Sequence, residues 1–540
     1  MLIYGPVPAG HDTTEQLNYS KHFSEQFWGG ELTPHWLLQM NHGLGSPSFF
    51  VYPPFPAYVS ALLQPVGNAL HFNAFNAGEF LCLLISGISA FLWIGTMATR
   101  RVALIVAGIY LLIPYHLSAD FYRRSALAES WALAWMPLVL YFTTQVINKK
   151  RLAIIGLAVA YALLILSHLI SVLIFSAIPV FLAIVFSERA QRIRTTFSVA
   201  GGMLLGTGLS SFYLIPALAH AKYFPASKWG SNISQQLLGF GKGLFGPTNR
   251  PEFVRTVSLM VIETVFFIAL CGLVSLWKGN PVHRKITLFW LAVCLIPLFM
   301  MHSKSVSIWK ALPFLANSIQ FPERLNIILC IAALPLAAAF LSDVSWPASS
   351  FQKLSLAGAL LIVACWIVTF GLILKSYRLP PNIDPSVREN DGWFESWSPA
   401  GLDPASALEA SAGPPITFLT GNGTATVSVW KPRLIEFTTD STTDSPTGAL
   451  VMVKQFYFPL WKAHLISGAS LPTSVALPPG LVELHVPGGH QQIRLEIPRG
   501  YDERIGAWLS AFSALLCIAW MCFSRRRRFP GTPTLLHPAN

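Results

Sequence analysis

Eleven apolar runs, each at or near the length that crosses a bilayer, fix what this chain can become. They lie at residues 78–97, 102–118, 127–146, 152–167, 169–187, 196–217, 257–277, 286–302, 325–342, 354–374 and 505–523. A hydrocarbon layer about 30 Å thick takes about 20 apolar residues as a helix, which satisfies every backbone polar group from within. Taken as one helix, the runs at 152–167 and 169–187 would exceed about 50 Å, so two short helices turning near Ser167 and His168 are expected. Charged residues make up 11% of the chain, against about 25% in a soluble domain. The expectation is a polytopic α-helical membrane protein.

The formal charge of +12 raises the question of nucleic acid. The basic residues, however, come in short groups between apolar runs, the pattern of orienting charges, so no nucleic-acid partner is expected. Arg100-Arg101, Lys149-Lys150-Arg151, Arg189 to Arg194, Lys278 to Lys285, Lys353 and Arg525 to Arg528 fall at every second boundary. They are read as cytoplasmic, which puts residues 1–77, 119–126, the turn at 168, 218–256, 303–324 and 375–504 on the outer face. Arg123, Arg124, Lys304 and Arg324 defy the rule by staying outside. The polar N-terminal stretch has no apolar run before it to carry it across, so a missing first helix, making twelve spans, is expected. Seven cysteines sit in apolar runs without ligand spacing. They read as packing residues, and neither a metal nor a cofactor is expected.

Four parts follow. Residues 1–77 form an outer loop with interfacial helices, among them the short, proline-led stretch 55–71. Residues 78–374 form the transmembrane helical domain. Residues 375–504 carry short strand-forming runs between Pro and Gly, such as Thr424 to Trp430, Ala449 to Val453 and Ile493 to Ile497. They predict an extracytoplasmic β-sandwich-like domain. Residues 505–540 form a final transmembrane helix and a basic cytoplasmic tail. Trp393 to Trp397 could stack on a sugar or pack against the helices. The sequons at Asn18, Asn232 and Asn422 are all outside, and such triplets are common by chance.

The charge rule brings widely separated ionisable residues to one membrane face: Asp12, Glu15, His22, His42, Asp120, Arg123, Arg124, Glu129, His168, His220, Glu323 and Arg324. Acids, arginines and aromatics at a lipid–water boundary suit an anionic lipid substrate and a polar second one. Arg123 and Arg124 read either as partners of Glu129 that hold two helices together or as a phosphate site suited to planar guanidinium groups. His168 reads as a helix-packing residue or a substrate contact. His220, Lys222, Tyr223, Phe224 and Trp229 lie in an aromatic, basic stretch that would suit either an interfacial belt or a substrate surface. Asp12 opens Asp-Thr-Thr-Glu, which also reads as a helix N-terminus. Within the spans, Glu263 is the main exception to an absence of charge at depth.

Several motifs resemble a family. They are Gly10-His11-Asp12-Thr13, Trp28 to Trp36, Asn41-His42-Gly43-Leu44-Gly45-Ser46-Pro47, Phe50-Val51-Tyr52-Pro53-Pro54, Arg123 to Glu129, Leu166-Ser167-His168 and Gln320-Phe321-Pro322-Glu323-Arg324. Together they resemble bacterial multi-spanning proteins labelled 6-pyruvoyl-tetrahydropterin synthase-related. The polar domain and last helix are similar to the layout of YfhO-type proteins, and both point by resemblance to the GT-C glycosyltransferase superfamily. The resemblance implies a GT-C-like fold in the bacterial inner membrane with an extracytoplasmic active face. The implied activity moves a sugar from a polyprenyl-phosphate donor to a polar or glycan acceptor, among membrane lipids. Asp12 matches the acid of the first outer loop and would be the catalytic residue. Glu15, His42, Tyr52, Arg123, Arg124, Glu129, His168 and Arg324 would bind substrate, with the arginines on the leaving phosphate. A transporter or flippase of lipid-linked glycan, or a non-catalytic scaffold for envelope polymer assembly, are the rival readings.

Overall fold

The computed structural model describes residues 7, 10–224, 237, 252–343, 349–376, 402–441 and 448–526. Trp229, the sequon at Asn232, the stretch Trp393 to Trp397 and the basic residues Arg527 and Arg528 lie outside the described residues. Among the described residues, nine helices are long and apolar enough to cross a membrane. They are Ala74–Ile94, Arg100–Arg124, Leu127–Ile147, Leu169–Phe186, Val254–Lys278, Pro281–Met301, Pro322–Ser342, Ser350–Lys375 and Tyr501–Phe523. A shorter apolar helix, Ala153–Ser167, separates from its successor at His168, whose backbone is extended (φ −160°, ψ 104°). The chain is thus a polytopic α-helical membrane protein with an antiparallel β-rich part near its C-terminus.

Two expectations are corrected. The run at 196–217 is not one straight span: Arg189–Leu209 and Ser211–Tyr223 meet at a bend of 74°. At the bend the hydroxyl of Ser210 donates to the Gly206 and Thr207 carbonyls, while the Phe212 amide donates to Ser510 Oγ on the last helix at 2.9 Å. A broken helix is tolerated at membrane depth where a neighbour satisfies its freed backbone groups, as here. The second correction concerns 119–126, expected as an outer loop. Tyr115–Arg124 instead winds as a π-helix that prolongs its span after Pro114 and ends at Ser125 in the left-handed region (φ 52°). Arg123 and Arg124 are therefore buried within a helix end rather than displayed on a loop.

The β-rich part has nine strands: β1 (Ile416–Thr420), β2 (Gly423–Lys431), β3 (Leu434–Ser441), β4 (Ala449–Phe456), β5 (Lys462–Leu465), β6 (Ser470–Leu471), β7 (Thr473–Ala476), β8 (Leu481–Val486) and β9 (Gly489–Glu496). They form two antiparallel sheets, ordered β1-β4-β8-β7 and β2-β3-β9-β5-β6. Alternation drives this pairing: β4 buries Val451 and Val453 with Met452 less covered between them, as a strand with one core face requires. Phe437 lies opposite Ile493 across β3 and β9, and both sheets close over the same apolar core with Trp461 and Phe456.

The N-terminal segment is wedged between this β-rich part and the bundle. Helices Thr13–Trp28 and Phe55–Leu70 enclose an aromatic cluster of Tyr19, Phe23, Phe49 and Tyr58. Between them, Trp36 is fully buried and donates its indole N–H to Gln455 Oε1 at 2.8 Å, while the Phe456 amide donates to the Leu44 carbonyl. Gly45 (φ 83°) touches both Trp36 and Gln455 where any Cβ would collide, so only glycine lets the loop approach the strand. Arg433 closes the other side with a two-pronged pair to Glu503 at the head of the last helix (2.9 and 2.8 Å).

Candidate active site

Four helix ends meet at one membrane boundary: the C-terminal end of Arg100–Arg124, the start of Leu127–Ile147, His168 before Leu169–Phe186, and the start of Pro322–Ser342. Each brings an ionisable side chain, and long-buried charges of this kind must pair. Arg124 Nη1 donates to Asp120 Oδ1 at 2.7 Å and to Glu129 Oε2 at 2.9 Å. Tyr115 completes the carboxylate shell, its hydroxyl donating to Glu129 Oε1 at 2.8 Å. The same Glu129 Oε2 lies 3.5 Å from Arg324 Nε, so one carboxylate faces two guanidinium groups. Asp120, Arg124 and Glu129 are all buried. Of the two readings for Arg124, the helix-joining pair is realised.

Arg324 is the less committed arginine. Its Nη1 donates to the Ile319 carbonyl (3.0 Å) and to Gln320 Oε1 (3.1 Å), and its guanidinium lies 5.0 Å from the Phe321 ring centroid. Its buried Nε makes no hydrogen bond. Gln320 holds that contact from a left-handed backbone (φ 65°), a conformation that a non-glycine residue adopts at a cost of order 1–3 kcal/mol and that gathers at functional sites. Arg123 leaves the Arg124 cluster and donates to Thr256 Oγ1 at 2.9 Å. His168 Nδ1 is 2.7 Å from Ser171 Oγ and lies within electrostatic reach of Glu129.

Asp12 is brought to this cluster by its backbone. The His11 amide donates to the Arg123 carbonyl (3.0 Å) and the Asp12 amide to the Arg124 carbonyl (2.8 Å), while Thr13 Oγ1 donates to Ser125 Oγ at 2.7 Å. Gly10 presses against Ser125 and the Arg124 carbonyl carbon with no room for a Cβ. Asp12 does stand at the head of Thr13–Trp28, but its carboxylate makes no capping bond. The side chain is half-buried and free of that duty. Burial holds its carboxyl above the usual carboxylate range, against a downward pull from Arg124, His11 and Arg324.

The other expected residues divide. Tyr52 lies within electrostatic reach of Asp12 and Arg324: its hydroxyl accepts from Gln16 Nε2 at 2.6 Å, and burial pushes its phenol up. Glu15 accepts from the Tyr19 hydroxyl at 2.9 Å, one turn along the helix from Asp12. Next to His42, the Gly43 and Leu44 carbonyls accept from Gln455 and Phe456 of the β-rich part. His22 is 3.1 Å from Glu25, and His220 pairs with Asp502 at 2.9 Å, so both are engaged locally. Glu323 is buried with Oε2 unpartnered beside the arginines.

Sequence reasoning missed Tyr115, Thr256 and Gln320, which only the fold brings to the charges. It also passed over Glu79, a buried acid in the first span whose Oε2 has no partner. A lone Glu at residue 79, the second position of the apolar run 78–97, was the available signal. Among the described residues no group of three or more His, Cys, Asp or Glu side chains is placed to hold a metal ion.

No curated protein matches this sequence. Two solved structures of the arabinofuranosyltransferase AftD from Mycobacteria, one of them a mutant, are similar at TM-scores of 0.42 and 0.41 and identities of 15% and 16%. They cover 70% and 69% of this chain, which spans 27% and 25% of theirs. The oligosaccharyltransferase of Archaeoglobus fulgidus, solved with Zn and sulfate, is similar at a TM-score of 0.38 and 17% identity, over 76% of this chain and 54% of its own. The chain therefore spans about a quarter of the length of the first protein and about half of the second. The sequence matches over residues 49–377 a family described as the 6-pyruvoyl-tetrahydropterin synthase related domain, a membrane protein. That match takes in more than half of the 540 residues and includes Arg123, Glu129, His168 and Arg324, so the chain belongs to the 6-pyruvoyl-tetrahydropterin synthase related family of membrane proteins.

Proposed function

We propose that this protein transfers a glycosyl group from a polyprenyl-phosphate donor to the hydroxyl of a polar or glycan acceptor, at the outer face of a bacterial inner membrane. It would do so in the manner of a GT-C glycosyltransferase. The observation that carries the reading is the placement of Asp12: a half-buried carboxylate with no capping duty, tied by backbone bonds to the turn bearing Arg123 and Arg124. In the step, the acceptor oxygen bonds to the sugar's anomeric carbon as the bond from that carbon to the phosphate oxygen breaks. The acceptor proton goes to Asp12, and polyprenyl phosphate leaves with the bonding pair. Help from a positioned base of this kind is worth about 10²–10⁴-fold.

Arg324 and Arg123 are the groups proposed to face the leaving phosphate, where fixed donors reward developing charge. Arg124 and Glu129 frame them as a rigid pair, and Glu15, Tyr52 and His168 line the approach. The division into an outer loop (1–77), a helical domain (78–374), an outer β-rich domain (375–504) and a final helix with its tail (505–540) belongs to the same reading. The test is direct. Purified protein is given radiolabelled polyprenyl-phosphate sugars and membrane-extracted acceptors, and the lipid-linked saccharide that co-purifies is identified by mass spectrometry. Transfer by the wild type and none by Asp12→Asn supports the reading; equal transfer by both removes Asp12 as the base.

A further inference from the structure

At the opposite membrane boundary the structure holds a second feature that the transfer reading does not use. The helix Pro281–Met301 packs its far end against the turn Pro322–Leu325 that carries Arg324, so its Pro281 end lies at the other face. There a groove of about 570 Å³ opens, lined by Val185, Pro281, Arg284, Lys285, Leu288 and Phe289. Its wall is apolar and its rim carries two cations.

Among the described residues, neither cation meets an acid. Lys285 Nζ donates to the Val185 carbonyl at 2.9 Å and sits 4.9 Å from the Phe186 ring centroid. Arg284 Nη2 donates to the Trp277 carbonyl at 3.1 Å. The acids of this face are engaged elsewhere: Glu188 pairs with Lys149 at 2.9 Å, and Asp343 with His283 at 2.6 Å. Among the described residues, these two neighbouring cations at the head of an apolar groove thus have carbonyl oxygens and the face of the Phe186 ring as their partners. Below them Leu288 is 58% exposed, and Leu295 and Ile296 continue the outward apolar row along the helix.

We infer that this groove binds one anionic glycerophospholipid of the bilayer, its phosphate between Arg284 and Lys285 and an acyl chain along Leu288, Phe289 and Val185. Basic pockets between transmembrane helices recognise anionic headgroups in this way, each cation adding to the attraction. The occupant bridges the helices Leu169–Phe186 and Pro281–Met301, which also meet at this end through Phe186 with Phe289 and Lys285 with the Val185 carbonyl. The proposal is independent of the transfer reaction.

The test uses the full-length protein in detergent, delipidated and then given phosphatidylglycerol or phosphatidylcholine, with bound lipid counted by native mass spectrometry. The wild type should retain phosphatidylglycerol about tenfold better than phosphatidylcholine. The double variant Arg284→Ala with Lys285→Ala should lose that preference. Leu288→Trp, which blocks the acyl track on an exposed position and leaves both charges in place, should lower occupancy by either lipid and keeps the test open if the double variant does not fold. Equal retention of the two lipids by the wild type, a preference surviving in the double variant, or unchanged occupancy in Leu288→Trp would overturn the assignment.

Discussion

The amide of Asp12 donates to the carbonyl of Arg124 at 2.8 Å, which seats a half-buried carboxylate beside a buried arginine whose own charge is already spent on Asp120 and Glu129. Asp12→Asn should therefore lower transfer by about 10²–10⁴-fold while membrane abundance holds. The pH dependence has a definite sign. Burial raises the Asp12 pKa, so the base form appears only above the usual carboxylate range, and transfer should rise with pH through that raised value. For stability the same shift works in reverse: the folded state binds the proton more tightly, so stability falls as pH climbs from the ordinary value to the raised one. Melting temperatures at neutral pH should accordingly be no lower in the Asn variant than in the wild type.

Gly10→Ala tests the seating itself. A Cβ at that position meets the Ser125 side chain and the Arg124 backbone, neither of which is the loose end of a long side chain. The expected result is a loss of transfer approaching that of Asp12→Asn, with the melting temperature of the bundle little changed. Normal kcat in this variant would show that the loop reaches the site by another route.

Two substitutions separate framework from ligand contact. Glu129→Gln strands Arg124 and Arg324 around a neutral amide, and breaking a buried pair in this way costs about 3–5 kcal/mol, read as a lower melting temperature and poor membrane yield. Arg324→Gln removes a guanidinium whose Nε makes no hydrogen bond. Because Arg124 still holds Glu129, it should lower yield less than Glu129→Gln does and raise KM for the lipid-linked donor. The opposite pattern would make Arg324 the structural residue.

Much of this was legible in the sequence. The apolar runs gave the spans because helix length and bilayer thickness must agree, and the alternation at Ala449 to Val453 gave a strand. Arg123, Arg124 and Arg324, out of place by the charge rule, marked the helix ends where buried charges gather. Periodicity could not reveal that Tyr115–Arg124 winds as a π-helix, since its outcome depends on the Asp120, Glu129 and Tyr115 contacts made only after packing. The bend at Ser210 was hidden for a similar reason: the Ser510 hydroxyl that supports it lies about three hundred residues away. The seating of Asp12 by Gly10 and Ser125 depends on backbone geometry that no residue type announces.

A final pair of titrating groups gives the β-rich junction its own pH signature. Burial pushes the Glu31 carboxyl up to about 7, with Arg433 pulling it back, and pushes the His35 imidazole down to about 4. The signs oppose. Glu31 favours the folded state in its protonated form, so its contribution is lost as pH rises from the ordinary 4.5 toward 7. His35 favours it in the neutral form, so its contribution is lost as pH falls from 6.5 toward 4. Thermal melts of Glu31→Gln should flatten the first slope, and those of His35→Asn the second; parallel curves for variant and wild type would show that the junction does not govern unfolding.

The tie between Trp36 and Gln455 has a bearing on biogenesis. A nascent chain leaves the ribosome N-terminus first, yet the lodging for Trp36, Leu44 and Phe50 is built from strands made more than four hundred residues later. A segment translated before the spans therefore settles only after the strands are made. Truncation before β9 should leave it unprotected against proteases while the spans upstream have already inserted.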